Sequence, residues 1–488
     1  MNTKINPHIF RAYDIRGIAM SPCQTDREEL DKNTDNLTES ELDLTPATME
    51  LIGKGTGTYM KRKYHTGNML VGRDNRLHSE ILQQAYIKGV TSTGIDVVDI
   101  GISTSPLVYY GVCKHKMDSG ANITASHNPK QYNGVKIVGK NAHSVCGDEL
   151  QKILKLIESE DFETGEGSVI QKNDNFQTYL EDIKTRIKLE KPMKVVVDAG
   201  NGTAGKFAPD LLRAIGCEVI ELFCELDGTF PNHEANPEDE KNTRDMAKLV
   251  VEHNADLGIG FDGDGDRVGV VDENGKHYSA DFLIILLARD LLKHKPGSQI
   301  VFDVKVSQVL IDDIKKHGGI PVMSKTGHSF IESRMHEIGA PLAGEISGHL
   351  FFGKDLYEYY GFDDAFLGAC KILEILSKSD KPFSKQFTDL PQMKTTPEFK
   401  AHCPDDKKFE IVKKLQTHFT GTHECVTIDG VRVNFDPKSW GAVRCSNTSP
   451  NLTLRFEAEN EHKLKEIQEI MVNELRKYPD VSLAWYKQ

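Results

Sequence analysis

Three stretches of the chain repeat one order of apolar and polar positions. In each, a short run rich in Val and Ile leads into a polar loop and a helix-like segment, and a glycine precedes a second apolar run. Near-continuous apolar runs are typical of strands in a sheet covered on both faces, and a strand–helix–strand unit joins parallel strands. The pattern predicts three related α/β units, with strand pairs at 69–76 and 93–101, 194–202 and 215–223, and 299–307 and 318–327.

The C-terminal part of the chain follows a different pattern. VTIDGVRVNF and LTLRFEA are typical of strands around a long polar loop, and HKLKEIQEIMVNELRK then has helical spacing. This order predicts a smaller α+β domain. The fold class is therefore α/β, with three related mixed-sheet α/β domains and a C-terminal α+β domain. We place the four domains at 1–172, 173–277, 278–390 and 391–488.

The length and charge of the chain narrow the classes of function. A chain of 488 residues is too long for a single core, which agrees with several domains. The formal net charge of -13 argues against nucleic acid as a partner, because a phosphate backbone requires a basic face. A small anionic substrate remains compatible with this charge if cations are concentrated locally.

Several features predict a cytoplasmic protein without a membrane partner. No apolar run approaches the roughly 20 residues that cross a bilayer, and the N-terminus lacks the apolar region of a secretion signal. The nine cysteines are scattered and never spaced C-x-x-C, so they are interpreted as reduced thiols. The polar, acidic segment 21–43 is predicted to be a solvated loop or a partly disordered insertion without an assigned role. The oligomeric state is not determined by the sequence, and a monomer is favoured.

The run ANITASHNPKQYNGVKIVG (121–139) is the first candidate for chemistry. Ser126 stands in a short polar stretch between apolar segments, beside His127, with Pro129 limiting helix formation. Asn-Gly then predicts a turn, after which Lys136 returns on a strand. A hydroxyl beside a possible base and a cation is what nucleophilic catalysis requires. In isolation, however, the same letters are more typical of a polar β-turn without chemistry.

The run LGIGFDGDGDRVGVVDENG (257–275) predicts a metal site. Asp262, Asp264 and Asp266 alternate with glycines, so three hard oxygen ligands can converge on Mg²⁺ or Ca²⁺. An EF-hand loop has similar ligand spacing, but Arg267 stands where that loop requires Gly, and the flanks are strand-like. An aspartyl phosphatase loop is a second alternative, although Asp266 stands where it would need Thr or Val. A solvated acidic turn is disfavoured because adjacent carboxylates repel unless they bind something.

Two further loops are suited to binding a sugar and a phosphate. In LAGEISGHLFFG, Glu345, Ser347 and His349 alternate, so an extended segment would place them on one face, suited to vicinal hydroxyls. In WGAVRCSNTSPNLTLRFEA, Arg444 and the neighbouring hydroxyls and amides have the composition of a phosphate cradle. A cysteine phosphatase loop built on Cys445 is excluded, because that loop would need Arg in place of Asn451. Each loop alone is also compatible with an ordinary polar turn or strand edge.

The four loops, in this order, resemble the α-D-phosphohexomutase family over nearly the whole chain. Additional matches lie in FRAYDIRG, VGRDNRLHS, DVKVS and KTGHSFI. The resemblance implies four domains around a central cleft, with Ser126 as the phosphorylated nucleophile and a ligand, with Asp262, Asp264 and Asp266, of one Mg²⁺. It implies a phosphohexomutase, an isomerase that interconverts hexose 1- and 6-phosphates through a hexose 1,6-bisphosphate, which is also its activator.

The resemblance also assigns residues to the substrate. Glu345 and Ser347, with His349 beside them, would hold the ring hydroxyls. The remote phosphate would be bound by Arg444, Ser446, Asn447 and Thr448. Other side chains that the resemblance places along the cleft are Tyr13, Arg16, His127, Lys136, Arg267, Lys305 and His328. Lys136 and Arg267 would neutralise charge during phosphate transfer, and the base is left open among Lys136, His127 and His328.

The subfamily is assigned from fewer residues. FRAYDIRG, the Ile that follows Glu345, and the ending GVRV…VRCSNTSP resemble the bacterial phosphomannomutase/phosphoglucomutase type. Phosphoglucosamine mutases more often have Gln after that Glu. Gln308 departs from the pattern, since Arg often follows the serine of the VKxS motif. The preference for mannose or glucose phosphate is not determined by the sequence.

Overall fold

The structure of the protein is a computed structural model that describes residues 5–19, 42–447 and 449–486. Within it the chain forms two compact units: Met1–Leu283 with Ser347–Gln386, and Ile284–Ile346 with Phe387–Gln488. Most of the predicted acidic segment 21–43, namely 21–41, lies outside the described residues. No helix among the described residues is long and apolar enough to cross a membrane.

The first unit begins with a mixed six-stranded sheet. Its strands are β1 (Ile15–Ile18), β2 (Asn68–Arg73), β3 (Asp96–Ile102), β4 (Ser119–Ile123), β5 (Tyr132–Val138) and β6 (Val169–Gln171). The helices of this part are α1 (Pro46–Tyr64), α2 (Ser79–Thr91), α3 (Ser105–Lys114) and α4 (Asp148–Glu158). The strand order is β1-β5-β4-β2-β3-β6, antiparallel between β1, β5 and β4 and parallel from β4 to β6. The parallel pair β2–β3 is the first predicted strand–helix–strand unit.

The second sheet of the same unit is also mixed. Its strands are β7 (Lys194–Asp198), β8 (Glu218–Leu222), β9 (Leu257–Phe261), β10 (Val268–Asp272) and β11 (His277–Tyr278). Its helices are α5 (Asn175–Arg186), α6 (Ala208–Ala214) and α7 (Arg244–His253), and α8 (Ala280–His294) follows. The order is β11-β10-β9-β7-β8, with β7 parallel to β8 and β9. Val195–Val197 are fully buried, as the continuous apolar run predicted.

The third predicted strand pair lies in the second unit. There β12 (Gln299–Asp303) is parallel to both β13 (Ile320–Ser324) and β14 (Leu342–Gly344), and the helices are α9 (Gln308–Lys316) and α10 (His328–Ile338). The chain then returns to the first unit through β15 (Leu350–Phe352), α11 (Lys354–Tyr357) and α12 (Ala365–Ser377). The repeated apolar pattern thus corresponds to three parallel strand pairs.

The C-terminal part of the second unit is an antiparallel sheet with two helices. Its elements are β16 (Lys394–Thr395), β17 (Phe399–His402), α13 (Asp405–Thr420), β18 (Glu424–Val426), β19 (Val431–Asn434), β20 (Trp440–Cys445), β21 (Asn451–Ala458) and α14 (Glu461–Leu475). All of its strand pairs are antiparallel. The predicted fold class, three α/β parts followed by a C-terminal α+β part, is confirmed.

One local prediction is wrong. Asn133 and Gly134 do not form a turn but lie inside β5, which pairs with β1. A Cβ atom on Gly134 would lie 2.0 Å from the carbonyl oxygen of Ile15, so glycine is required by the close approach of β1. The Asn-Gly pair therefore occurs here because β1 and β5 approach closely at the glycine, and not because the chain reverses direction.

Helices α1 and α2 cross where two buried glycines, Gly53 and Gly89, meet. This crossing generates a stability prediction. A Cβ on Gly53 would lie 2.3 Å from the carbonyl oxygen of Tyr86. We expect Gly53→Ala to lower the free energy of unfolding by about 1–3 kcal/mol through overpacking, despite the roughly 0.5–1 kcal/mol that Ala gains in a helix. Urea unfolding followed by circular dichroism measures the change. The control is Gly139→Ala, whose added Cβ meets no atom closer than 3.8 Å; equal midpoints for both variants would contradict the prediction.

Candidate active site

Ser126 lies on the loop between β4 and β5. The residue is buried, with 1% of its surface exposed, and its φ of 52° is in the left-handed region that non-glycine residues avoid. Its hydroxyl donates to Asp262 Oδ2 at 2.7 Å and lies 3.2 Å from His127 Nδ1. The backbone N–H of Ser126 donates to Thr124 Oγ1. The loop therefore holds one hydroxyl, in a strained conformation, against a carboxylate from the second sheet.

The carboxylates belong to the hairpin that joins β9 and β10. Asp262, Asp264 and Asp266 are fully buried, and Asp262 Oδ1 accepts from the backbone N–H groups of Asp266 and Arg267. A Cβ on Gly263 would lie 2.3 Å from the carbonyl oxygen of Ser126, so only glycine permits this approach. The glycines between the aspartates thus bring the hairpin onto the serine loop.

Lys136 of β5 neutralises part of this negative charge. Its ammonium group lies 2.8 Å from Asp264 Oδ2 and also contacts Asp266. Burial alone would lower the pKa of Lys136, but Asp264 and Asp266 outweigh it and raise this pKa well above its usual value. Burial, together with Asp266 and Asp264, raises the pKa of Asp262 well above its usual value. Both carboxylates therefore favour the protonated form of Lys136 in this arrangement.

The three aspartates fit a divalent metal ion. One oxygen from each lies within 4.8 Å of the others, and the buried Asp264 Oδ1 accepts no hydrogen bond from any described residue. Carboxylate oxygens are the ligands preferred by Mg²⁺ and Ca²⁺. The EF-hand alternative is excluded, because the loop joins two paired strands instead of two helices. The acidic cluster could therefore bind a hard cation beside Ser126.

His349 and Arg267 lie next to the aspartates in the same unit. His349 is 2% exposed; its Nδ1 is 2.7 Å from Asp363 Oδ2, and its Nε2 accepts from Arg267 Nε at 3.1 Å. Burial, reinforced by the neighbouring cations, lowers the pKa of His349 to about 3. The contacts assign a neutral ring with the proton on Nδ1. Asp266, His349 and Asp363 are also close enough together to hold a metal ion, but both ring nitrogens of His349 already have partners in Asp363 and Arg267.

Asp363 was missed by the sequence analysis. It follows the sugar-binding motif closely in sequence, as the first member of an Asp-Asp pair before α12, and only this pair could have drawn attention to it. The second member, Asp364, accepts from Tyr179 and Tyr359 and caps α12 at Leu367. Burial raises the pKa of Asp364 to about 6.

The remaining predicted residues of the first unit surround the serine loop. Arg16 donates to Asp14 at 2.6 Å and to Asn128 Oδ1 at 2.8 Å, which joins the first motif to the residue two positions after Ser126. Burial lowers the pKa of His127, and Arg267 and Arg16 lower it further, so this ring is neutral. Tyr13 is half-buried and near enough to contribute to the raised pKa values of Arg16 and Arg267.

The expectation of an extended segment over the sugar-binding motif is wrong. Strand β14 ends at Gly344, and a turn follows in which Ser347 is half-buried and Gly348 has φ of 99°. The carbonyl oxygen of Gly348 accepts from the N–H of Val268, and a Cβ on Gly348 would lie 2.6 Å from the Val268 carbonyl oxygen. The turn fixes His349 beside β10, which an extended backbone could not do.

Glu345 and His328 lie together in the second unit. Glu345 is 2% exposed and its Oε1 accepts from the N–H of Gly327 at 2.5 Å. Gly327, with φ of 128°, directly precedes α10, whose first residue is the buried His328. The glycine of the motif KTGHSFI is thus required by its backbone conformation.

The predicted phosphate loop follows β20. Arg444 is 5% exposed and donates through Nε to Asp429 Oδ2 at 2.7 Å. The side-chain amide of Asn447 donates to the carbonyl oxygen of Thr326, and the N–H of Thr326 donates to Asp429. Ser446 is buried, its hydroxyl lies 2.8 Å from Ser449 Oγ, and Lys408 donates to the carbonyl oxygens of both serines. Thr448 lies outside the described residues.

Lys305 and Gln308 are fixed by the C-terminal part of the second unit. Lys305 lies 2.7 Å from Glu398 Oε2, and its carbonyl oxygen accepts from Arg455. Gln308 contacts Arg432 Nη2 through Oε1 at 3.3 Å. The charge expected from an Arg at position 308 is therefore partly supplied by Arg432. Asp429, Glu398 and Arg432 have no sequence signal of their own, because their role depends on contacts made after folding.

Comparison with known proteins gives four family models in chain order. The phosphoglucomutase/phosphomannomutase α/β/α domain I model matches 32–164, domain II matches 174–275, domain III matches 279–393, and the C-terminal domain matches 398–474. The four matches together account for most of the chain.

Similar proteins match along almost their whole length. A phosphomannomutase/phosphoglucomutase of Pseudomonas aeruginosa is 42% identical over 469 residues, which are 96% of this chain and 95% of that protein. A phosphoglucomutase of Neisseria meningitidis serogroup A is 39% identical over 94% of this chain and 95% of its own. A crystal structure of a phosphoglucomutase/phosphomannomutase family protein from Burkholderia thailandensis has a TM-score of 0.86 at 37% identity and covers 97% of this chain and 98% of its own.

The acidic cluster generates a prediction about metal binding. We expect protein treated with EDTA to bind one Mg²⁺ per chain, measured by isothermal titration calorimetry. Asp264→Asn should weaken binding by at least about 10-fold, because it removes one of three charged ligands. Asp245→Asn is the control, since Asp245 is exposed on α7 and pairs with Lys248. Unchanged affinity in Asp264→Asn would exclude the cluster as the site.

Proposed function

The chain belongs to the phosphoglucomutase/phosphomannomutase family, and on that basis we propose that it interconverts hexose 1-phosphates and hexose 6-phosphates of mannose or glucose. The reaction would use phosphorylated Ser126 and a hexose 1,6-bisphosphate, which also serves as activator. The substrates are small hexose phosphates, and a monomer is the proposed working state. Cys217, Cys224 and Cys370 are buried thiols, which supports a reducing, cytoplasmic compartment.

One observation carries the proposal: the Ser126 hydroxyl lies 2.7 Å from a carboxylate of the buried aspartate cluster. A serine nucleophile needs charge neutralisation at its phosphate, and the cluster, Lys136 and Arg267 lie beside it in one unit. A Mg²⁺ ion held by Asp262, Asp264, Asp266 and an oxygen on Ser126 would offset the charge of the transferring phosphate. Fixed cations and ligands of this kind stabilise charge without reorganising during the reaction.

The reaction transfers one phosphoryl group twice. In the first step a bond from the hexose hydroxyl to phosphorus forms and the hydroxyl proton passes to a base. The bond between Ser126 Oγ and phosphorus breaks, and the serine oxygen leaves as an alkoxide that the neighbouring cations stabilise until it attacks in the second step. In the second step the other phosphate of the bisphosphate returns to Ser126, and the proton returns to the hexose oxygen released. Lys136 and Arg267 remain cationic throughout and stabilise the transferred group.

We propose that His349 accepts the proton of the attacking hexose hydroxyl, in preference to Lys136, His127 and His328. Nδ1 of His349 is held by Asp363, so Nε2 carries the lone pair. Arg267 Nε donates to Nε2 at 3.1 Å, and this hydrogen bond must be exchanged for the hexose hydroxyl before Nε2 can take the proton. A base that is oriented by a carboxylate on its far nitrogen is a recurrent catalytic arrangement. Lys136 is bound to two carboxylates and holds its proton. His349 therefore has a different proposed role from the sugar contact expected from its motif.

The bisphosphate must also be held at its second phosphate. Arg444, Ser446, Asn447 and Thr448 are proposed to bind it, Glu345 and Ser347 to bind ring hydroxyls, and Tyr13, Arg16, Lys305 and His328 to contact the substrate. Arg444 is oriented by Asp429, and Lys305 is held by Glu398, so both cations have defined positions before substrate binds. A phosphatase is the second candidate, because it would use a similar metal site but release phosphate to water.

The first prediction of this proposal concerns the nucleophile. Ser126→Ala should lower kcat by several orders of magnitude, because the covalent intermediate cannot form. Incubation of wild-type protein with a hexose 1,6-bisphosphate should add one phosphate, located by mass spectrometry on the peptide of Ser126. Ser119→Ala is the control, because Ser119 is buried in β4 and its hydroxyl bonds only a backbone oxygen among the contacts described. Full activity of Ser126→Ala would refute the mechanism.

The second prediction separates a mutase from a phosphatase. Replacing Arg444 by Ala removes a charge-assisted contact worth about 1.5–3 kcal/mol, or about 10- to 150-fold in kcat/KM for glucose 1-phosphate and mannose 1-phosphate. More bisphosphate should escape into solution, while phosphorylation of Ser126 persists. Arg289→Ala is the control, since Arg289 pairs with Asp313 on α9. Release of inorganic phosphate at the rate of substrate loss would favour the phosphatase.

A further inference from the structure

The motif VGRDNRLHS (71–79) has no role in the mechanism described above, yet it forms the support of the serine loop. Arg76, 3% exposed, donates from Nη2 to the carbonyl oxygens of Ser126 and Asn128 at 2.8 and 2.6 Å. From Nη1 it donates to those of Pro129 and Tyr132 at 2.8 and 3.1 Å. One guanidinium group thus binds four carbonyl oxygens of the loop that carries the nucleophile.

The guanidinium group is itself fixed from the side of α2. Asp74 accepts from Arg76 Nε at 3.1 Å and from the backbone N–H of Arg76 at 3.0 Å, and it also accepts from Ser79. His78 adds a contact from its Nε2 to the carbonyl oxygen of Lys130 at 3.1 Å. The planar fork of arginine matches two pairs of acceptors at fixed spacing, which the single ammonium group of lysine cannot do.

These contacts act on the strained backbone of Ser126. A left-handed serine persists only where its surroundings over-determine it, and such residues are concentrated at functional sites. Arg76 donates a hydrogen bond to the carbonyl oxygen of Ser126. Gly263, in the hairpin that joins β9 and β10, packs against the same oxygen. The Ser126 side chain is thereby directed to Asp262.

The loop between β8 and α7 covers the other side of Arg76. The Phe230 ring centroid lies 5.1 Å from Arg76 Cζ, and a Cβ on Gly228 would meet the backbone of Asn75 and Leu77 within 2.7 Å. A cavity of about 350 Å³, lined by Arg76, the loop 126–131 and the segment that includes Thr229 and Phe230, adjoins the guanidinium group. A small cation could therefore reach this position if the arginine side chain were removed.

We propose that Arg76 is a positioning residue for phosphoryl transfer, which acts through the carbonyl oxygens of the Ser126 loop and sets the nucleophile against the metal hairpin. The inference rests on the proposed function. It predicts a selective loss of the chemical step, because the side-chain hydrogen bonds described for Arg76 go to Asp74 and to the Ser126 loop. A side chain that only stabilises the fold would alter unfolding without this selectivity.

The test uses two variants of the full-length protein, Arg76→Ala and Arg76→Lys, with Arg73→Lys as the matched control. Arg73 belongs to the same motif but pairs with Glu80 and binds none of the four carbonyl oxygens. Circular dichroism and Mg²⁺ titration establish that each variant is folded. We expect kcat to fall about 100-fold in both Arg76 variants, as for a small displacement of reacting groups, with KM for glucose 1-phosphate within about 3-fold.

Chemical rescue supplies the second measurement. Millimolar methylguanidinium should restore part of the lost kcat of Arg76→Ala, and urea at the same concentration should not. A folded Arg76→Lys with wild-type kcat, or a loss confined to KM, would overturn the inference. If Ser126→Ala itself were fully active, the proposed function would fail instead, so the two failures are distinguishable.

Discussion

Three buried carboxylates at one hairpin are the constraint on which the rest of the first unit depends. Asp262, Asp264 and Asp266 repel one another in a region from which water is excluded, so the fold must bring cations to them. Lys136 comes from β5 of the first sheet and Arg267 from the hairpin itself. The loops that follow β4 and β9 must therefore lie in contact, and the glycines of the aspartate hairpin permit that approach.

The same constraint explains why Ser126 and Lys136 are found on one β-hairpin. Lys136 is paired with Asn122 across β4 and β5, so the cation and the start of the serine loop lie side by side. In the loop between them, Ser126 has the left-handed φ of 52° and donates to Asp262 of the second sheet's hairpin. Backbone strain at Ser126 thus accompanies its contact with a second sheet, and buried hydrogen bonds elsewhere in the unit maintain it.

The repeated strand pairs, the C-terminal α+β part and the family resemblance were predictable from the sequence and are confirmed. Apolar runs indicate buried strands, and alternating aspartates and glycines indicate that charges converge. Both patterns can be recognised within a short stretch of sequence. Asn133-Gly134 and the Glu345–His349 segment were misinterpreted, because close approaches of β1 and β10 override the local preference. Asp363, Asp429 and Glu398 were missed for a related reason. Asp429 and Glu398 pair with cations, and Asp363 orients a neutral imidazole, at positions 14 or more residues away, and an isolated acidic residue carries no sign of that partner.

Two of these carboxylates, Asp429 and Glu398, together with Asp14, have a common consequence for binding. Arg444 is paired with Asp429, Lys305 with Glu398 and Arg16 with Asp14 before any substrate is bound. On the proposed assignment of these cations to the substrate, a phosphate would share or replace a resident anion, which would lower the net affinity of each cation for the ground state while keeping its geometry. An enzyme that passes a bisphosphate between two orientations has to release each phosphate as readily as it binds it. Pre-paired cations satisfy both requirements, whereas unpaired cations would hold the intermediate too tightly to let it turn.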